Sequence, residues 1–220
     1  MTFTITVLRT DIADDLRDAG ATDWTTAQLD RAIDYALDRY TRVRPRQQVA
    51  NLTGIASRQI TLSAAAPAGL GTLPFAALIA VTAAEYPIGR WPPEFVRFDT
   101  YAGTLQLHLD TQPVAAAVNL HYDRLHTLDA TSGTLEDRDR DVLAIGAVAY
   151  ALRQRAIDAA AALNVAPDYD TRLRRLAEEA LAHFDAMLER IRSEQPLRQR
   201  RAYAPREPLA NRDIVRWPGA

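Results

Sequence analysis

Between Leu29 and Tyr40 the apolar residues Leu29, Ala32, Ile33, Ala36, Leu37 and Tyr40 recur every three or four positions, the spacing of one buried helix face. Thr25-Thr-Ala-Gln28 stands ahead of them as a capping box and Pro45 stands behind as a stop, so a helix is expected across the interval. Before it, Thr10 is expected to cap a shorter helix running through Leu16 to Ala19, with Gly20 at its C-terminal end. The charged face of the longer helix, with Asp30, Arg31, Asp34, Asp38 and Arg39, reads as solvated surface.

From Gln47 to Asp123 the period changes. Short β-prone segments (VANLTG, RQITLS, ALIAVTAAEYPI, EFVRFDTY, TLQLHL, AAVNLHYD) are separated by turn and loop signals, which predicts five or six antiparallel strands. FVRFDTYAGTLQLHL is the clearest hairpin, with Ala102-Gly103 at its tip and Phe98, Leu105, Leu107 and Leu109 available to one face.

The helical period returns after Gly133. Thr134-Leu-Glu-Asp137 reads as the cap of a long alanine-rich helix over residues 136–163, and Asn164-Val-Ala-Pro167-Asp168 as a break. A last helix follows, with a stripe of Leu173, Leu176, Ala180, Phe184, Met187, Leu188 and Ile191. The expected fold is therefore α+β: an α-helical bundle of about four helices with an inserted antiparallel β-module and an extended C-terminal arm. Its parts are 1–46, the N-terminal bundle helices; 47–132, the β-module; 133–192, the two C-terminal bundle helices; and 193–220, the arm.

Composition narrows the chemistry. Hydrophobic residues at 48% and charged residues at 25% suit a globular chain with a real core, and argue against disorder or a membrane protein. The apolar run FAALIAVTAA is too short to cross a bilayer, and MTFTITVLRTD lacks the basic flank and apolar core of a signal peptide, so a cytoplasmic site of synthesis is expected. Without cysteine there are no disulfides, zinc thiolates, iron-sulfur clusters or thiol nucleophiles. All 26 basic residues are arginine, which removes lysine Schiff bases and a P-loop lysine.

The net charge of -2 hides an asymmetry. Asp11, Asp14, Asp15, Asp18, Asp23, Asp30, Asp34 and Asp38 crowd the first forty residues, while the end is arginine-rich. That arrangement suits head-to-tail contacts between subunits better than a nucleic-acid footprint, which needs a basic face on the folded body.

The densest candidate chemistry lies in VNLHYDRLHTLDATSGTLEDRDRD, where His121, Asp123, His126, Asp129, Glu136, Asp137, Asp139 and Asp141 gather. On a strand His121 and Asp123 share a face, but His126 and Asp129 fall in the exit turn, and a metal site needs ligands that converge. Acids at the helix start also complement its dipole, and Arg138 and Arg140 interleave with them as ion-pair partners. The expectation is capping and surface charge, with no catalytic residue, no metal and no cofactor. Ser132-Gly133 lacks a nucleophile elbow, and Gly69-Leu-Gly71 lacks the third glycine of a dinucleotide site; both read as turns. His183 reads as a packing or exposed histidine. Trp91-Pro92-Pro93 reads as a rigid loop, and an exposed Trp91 would point to a subunit interface.

The stretch from Ser193 holds four prolines, six arginines and little periodicity, and is expected to be extended or disordered alone. It also carries Tyr203, Leu209, Ile214, Val215 and Trp217, residue types that anchor partner contacts.

ITVLRTDIADDLRDAGATDWTTAQLDRAIDYALDRY, FDTYAGTLQLHL, AAAVNLHYDRLHTLDATSGTLEDRDRDVLAIGAVAYAL and TRLRRLAEEALAHFDAMLERI together resemble the head-tail connector, or adaptor, proteins of tailed bacteriophages. The resemblance covers most of residues 1–192 and rests on organisation. It implies a non-enzymatic structural virion protein, a ring commonly of twelve copies below the portal, joining capsid and portal to the next neck or tail protein. Phage DNA would pass through the lumen without sequence-specific binding, no membrane would be involved, and the protein would sit in the virion neck after assembly in the host cytoplasm. The resemblance also implies a docking arm, to which Arg198, Arg200, Arg201, Tyr203, Arg206, Arg212, Ile214 and Trp217 are assigned. The alternatives are a small cytoplasmic metal-dependent hydrolase using His121, Asp123 and His126, or a tail-completion or terminator protein of the virion.

Overall fold

In the computed structural model, residues 2–18, 20, 23–62, 78–161 and 169–194 are described. Helix α1, Ile5–Asp15, begins one residue after an extended Thr4, well before the expected start at Thr10. Leu8 and Ile12, one turn apart, are fully buried, and their burial fixes the helix although the sequence there is rich in β-branched residues. Thr10 instead lies within the helix, its hydroxyl donating to the Thr6 carbonyl at 3.1 Å. The helix stops at Arg17, whose φ of 56° is left-handed, rather than at Gly20. The Asp18 carboxylate accepts from the backbone N–H groups of Asp23 and Trp24 at 3.1 and 2.9 Å, which ties this corner to the next helix.

Helix α2, Thr26–Val43, has the expected capping box: Thr25 Oγ1 accepts from Gln28 N–H at 3.3 Å while Gln28 Oε1 accepts from Thr25 N–H at 2.9 Å. Its expected apolar stripe is the buried one, with Leu29, Ala32, Ile33, Ala36 and Tyr40 in the core and Leu37 at its margin.

Helix α3, Arg140–Ala161, is preceded by a 3-10 turn at Asp137–Asp139, and no side chain caps that turn. Thr134 is not the cap the sequence suggested, because its hydroxyl is engaged by Thr127 and His126. Helix α4, Tyr169–Glu194, buries Leu173, Ala177, Phe184 and Leu188. The expected stripe is thus displaced at one end: Leu176 is exposed and Ala177 takes the inward place, four residues from Leu173 and seven from Phe184. Gly146 of α3 faces Phe184, and a Cβ there would lie 2.7 Å from the ring, so glycine is what lets these two helices approach. The expected break at 164–168 lies outside the described residues, as does the arm from residue 195 on, whereas Ser193 and Glu194, expected to begin the arm, still belong to α4.

These helices form one compact unit, Met1–Arg46 with Leu125–Gln195. The other unit comprises Gln47–Arg124 among the described residues and is entirely β. Its strands are β1 Arg46–Ile55, β2 Gln59–Thr61, β3 Leu78–Glu85, β4 Phe95–Val96, β5 Phe98–Tyr101, β6 Thr104–Leu107 and β7 Ala116–Arg124. They make a four-stranded sheet, β1-β7-β3-β4, and a three-stranded sheet, β2-β6-β5. Among the described residues there are seven strands where five or six were expected, because EFVRFDTY divides at Arg97: Phe95 and Val96 pair with β3, and Phe98 to Tyr101 pair with β6. Both central pairings, β3 with β7 and β5 with β6, are antiparallel.

The expected hairpin is β5–β6, with Ala102 at φ 46° and Gly103 at φ 75° in its two-residue turn. Leu52, Val118, Leu120 and Tyr122 from the first sheet share a core with Ile60, Leu105 and Leu107 from the second. This unit ends at Arg124, short of the expected boundary at 132, since Leu128 packs in the helical core and Asp129 accepts from Ile5 N–H through its backbone carbonyl at 3.1 Å. The fold is α+β, with four helices and antiparallel sheets. Among the described residues no helix is long and apolar enough to cross a membrane.

Candidate functional site

Strand β7 sends Val118, Leu120 and Tyr122 into the core, so Asn119, His121 and Asp123 alternate onto the opposite face. Asn119 sits in a polar ladder: it donates to Glu85 Oε2 at 2.8 Å and accepts from Asn51 Nδ2 at 2.8 Å. His121 stands opposite Ala83, edge-on to the Phe95 ring at 5.7 Å between centroids. Partial burial lowers the His121 pKa and the nearby Glu85 carboxylate opposes that shift. Burial raises that of Asp123, whose Oδ1 meets no hydrogen-bond donor among the described residues. A half-buried, hard-to-ionise pair on a strand is the setting a general base or ligand requires, but two groups do not make a centre. Among the described residues no cluster of three or more histidine or acidic side chains could hold a metal ion.

His126 belongs to the helical unit and has a structural assignment. Its Nε2 lies 3.1 Å from the Arg44 carbonyl oxygen and its Nδ1 lies 3.1 Å from Thr134 Oγ1. A carbonyl oxygen only accepts, so Nε2 carries the proton, and Nδ1 of the neutral ring competes with the Thr127 carbonyl, 3.2 Å away, for the one proton of the Thr134 hydroxyl. Both nitrogens are thereby occupied, and desolvation lowers the pKa of the ring. This contact fastens the residue at the end of α2 to the segment that follows β7. Beside it the buried Asp139 carboxylate pairs with Arg44 at 3.0 Å, and the Tyr40 hydroxyl is held protonated by burial and by the Asp139 charge.

Elsewhere in the stretch charged side chains and backbone groups are engaged in ion pairs and turns. Glu136 pairs with Arg138 at 2.6 Å, and Asp11 takes a two-pronged contact from Arg140. The backbone of Asp129 closes a turn with Ser132 at 2.7 Å, and Leu128 bridges to Gly133. His183 is exposed on α4. Thus the residues gathered at 121–141 in sequence are dispersed into a strand face, a buried brace and a helix start. Gly69 and Gly71 fall outside the described residues, as do the assigned arm residues from Arg198 to Trp217.

What sequence reasoning missed is a groove of about 550 Å³ between α2 and α3, lined by Trp24, Arg31, Tyr35, Tyr150, Arg153 and Ile157 among others. The Tyr35 and Tyr150 rings stack at 5.3 Å, and Arg39 reaches the Tyr150 hydroxyl at 3.5 Å. Tyr35 and Ile157 are 55% and 54% exposed, although both are large and apolar. The available signal was Tyr35 itself, an aromatic residue on the face otherwise read as solvated charge. The β-unit has its own exposed set: Trp91 at 91%, Val114 at 88% and Tyr101 at 85%. These are the features best suited to binding a macromolecule. Comparison with protein-family models and with curated protein sequences returned no match for this chain.

Proposed function

We propose that this protein is a structural component of a tailed-phage virion, a head-tail connector that assembles as a ring beneath the portal and carries the channel for DNA. The observation that carries this reading is the set of large apolar side chains exposed on both units, Tyr35 and Ile157 on one and Trp91, Tyr101 and Val114 on the other. Exposure on two separate units suits a subunit that meets neighbours on more than one side. The organisation of a four-helix unit interrupted by an antiparallel β-unit agrees with the family resemblance of the sequence.

Electrostatics support the same reading. Of the acids crowded into the first forty residues, Asp11, Asp23, Asp30 and Asp38 each pair with an arginine of the same chain. Arginines engaged by those acids are less available to grip a duplex through its phosphates, as a DNA passage requires. The arm residues Arg198, Arg200, Arg201, Tyr203, Arg206, Arg212, Ile214 and Trp217 are proposed to fasten the ring to the portal or the next neck protein. A tail-completion or terminator protein would share the ring and differ in partner.

Light scattering of the purified protein, alone and mixed with a candidate portal protein from the same genome, tests the proposal. A ring, or stoichiometric capture by the portal, supports it. A monomer indifferent to the portal overturns it, and a ring that binds tail-tube ends but not portals reassigns it to the tail. Deleting residues 193–220 is expected to leave the fold intact and abolish docking.

A further inference from the structure

Trp91 lies in the loop between β3 and β4, which is closed at its base. Tyr86 N–H donates to the Glu94 carbonyl at 2.9 Å, and the Arg90 guanidinium donates to Glu94 Oε1 at 3.2 Å. Pro92 and Pro93 fix two further φ angles, and Gly89 turns the chain at φ 80°. The loop therefore presents a 91% exposed indole on a braced backbone, which lowers the ordering cost of a contact made through it.

The helical unit carries a matching receptor. The α2–α3 groove offers the stacked Tyr35 and Tyr150 rings and Ile157 as apolar walls, in a volume of about 550 Å³ that accommodates an indole. Arg31 and Arg153 stand at its lining to meet the ring face, and the Asp158 carboxylate supplies an acceptor for the indole N–H. Charges of both signs stand on each side, and the exposed Arg90–Glu94 pair can exchange partners with those of the groove, Arg90 with Asp158 and Glu94 with Arg31 or Arg153. Arg90 and Glu94 flank Trp91, while Asp158 and the pair Arg31 and Arg153 flank the groove.

We infer that Trp91 of one copy seats in the α2–α3 groove of a second copy. Knob and groove belong to different units of the chain, so one copy can receive a neighbour's Trp91 while giving its own to another, a head-to-tail contact of the kind that builds the proposed ring. The inference rests on the proposed ring and names the contact that builds it.

Two variants test it, Trp91→Ala, which removes the knob, and Ile157→Asp, which spoils the groove. Both sites are exposed, so unchanged melting temperatures are expected, and circular dichroism checks them. Each variant alone should associate at least about 30-fold more weakly than wild type, the scale of a lost hot-spot residue. An equimolar mixture at high protein concentration should yield two-copy species and nothing larger, because one intact knob and one intact groove remain. Wild type that assembles while Trp91→Ala assembles equally well overturns this inference and leaves the ring standing. A mixture without two-copy species overturns it as well. Wild type that never associates, alone or with the portal, overturns both.

Discussion

In the helical unit, arginines and acids join one element to another: Arg9 of α1 with Asp30 of α2, Arg140 of α3 with Asp11 of α1, Arg39 of α2 with Asp185 of α4. In the β-unit the surface is different, with a polar ladder of Asn51, Asn119 and Glu85 on one sheet and Trp91, Tyr101 and Val114 turned to solvent. Exposed ion pairs contribute roughly 0–1 kcal/mol each, so those in the helical unit orient helices more than they stabilise them. Exposed aromatics contribute nothing to a lone chain and gain only when covered. Both units leave large apolar side chains exposed, Tyr35, Ile157, Tyr169 and Leu176 among them in the helical unit, but Trp91, Tyr101 and Val114 of the β-unit are the most fully exposed of all.

The largest expected effect falls on the helical side. Phe184→Ala removes a fully buried ring seated against Gly146 and should cost about 3–5 kcal/mol in denaturant unfolding. Leu105→Ala, between the two sheets, should cost about 2–5 kcal/mol. Hydrogen exchange sharpens the contrast, because lost protection after Leu105→Ala should concentrate in residues 47–124, and after Phe184→Ala in the helices. Equal loss in both units from either change would break the comparison. Asp139→Ala leaves the Arg44 guanidinium without its buried carboxylate and should cost roughly 3 kcal/mol, against less than about 1 kcal/mol for an exposed pair such as Arg175–Glu179. Thr25→Ala opens the capping box and should cost about 1 kcal/mol.

The smallest effect is a pH dependence with one contributor in each unit. Burial lowers the pKa of His126 and of His121 below the ordinary histidine value of about 6.5. As pH falls below that value the unfolded chain takes up protons that the folded chain refuses, so stability is lost on acidification. His126→Gln should flatten that slope while keeping a side chain able to donate to the Arg44 carbonyl. A slope unchanged in the variant would show that His126 does not contribute.

Where local pattern and local structure coincide, the sequence was legible. The Thr25 box, the α2 stripe and the Ala102-Gly103 hairpin each depend on residues within a few positions of one another. The start of α1 was misread because Thr4, Thr6 and Val7 favour extended backbone, and burial of Leu8 and Ile12 outweighs that preference. Thr134 looked like a cap, but a hydroxyl has one proton and two lone pairs, and Thr127 and His126 claim them. The histidines and acids of 121–141 looked like one cluster. A strand, a brace and a helix start separate them, and neighbours in sequence need not converge in space.

From sequence alone came the class of the fold, the helix-β-helix order, the absence of thiol and lysine chemistry and the loop that carries Trp91, since composition and periodicity are local properties. Tertiary structure alone decided which large apolar residues remain exposed and that Tyr35, Tyr150 and Ile157 line one groove. Residues more than a hundred positions apart become neighbours only when α2 and α3 pack, and no local pattern encodes which face that packing leaves uncovered.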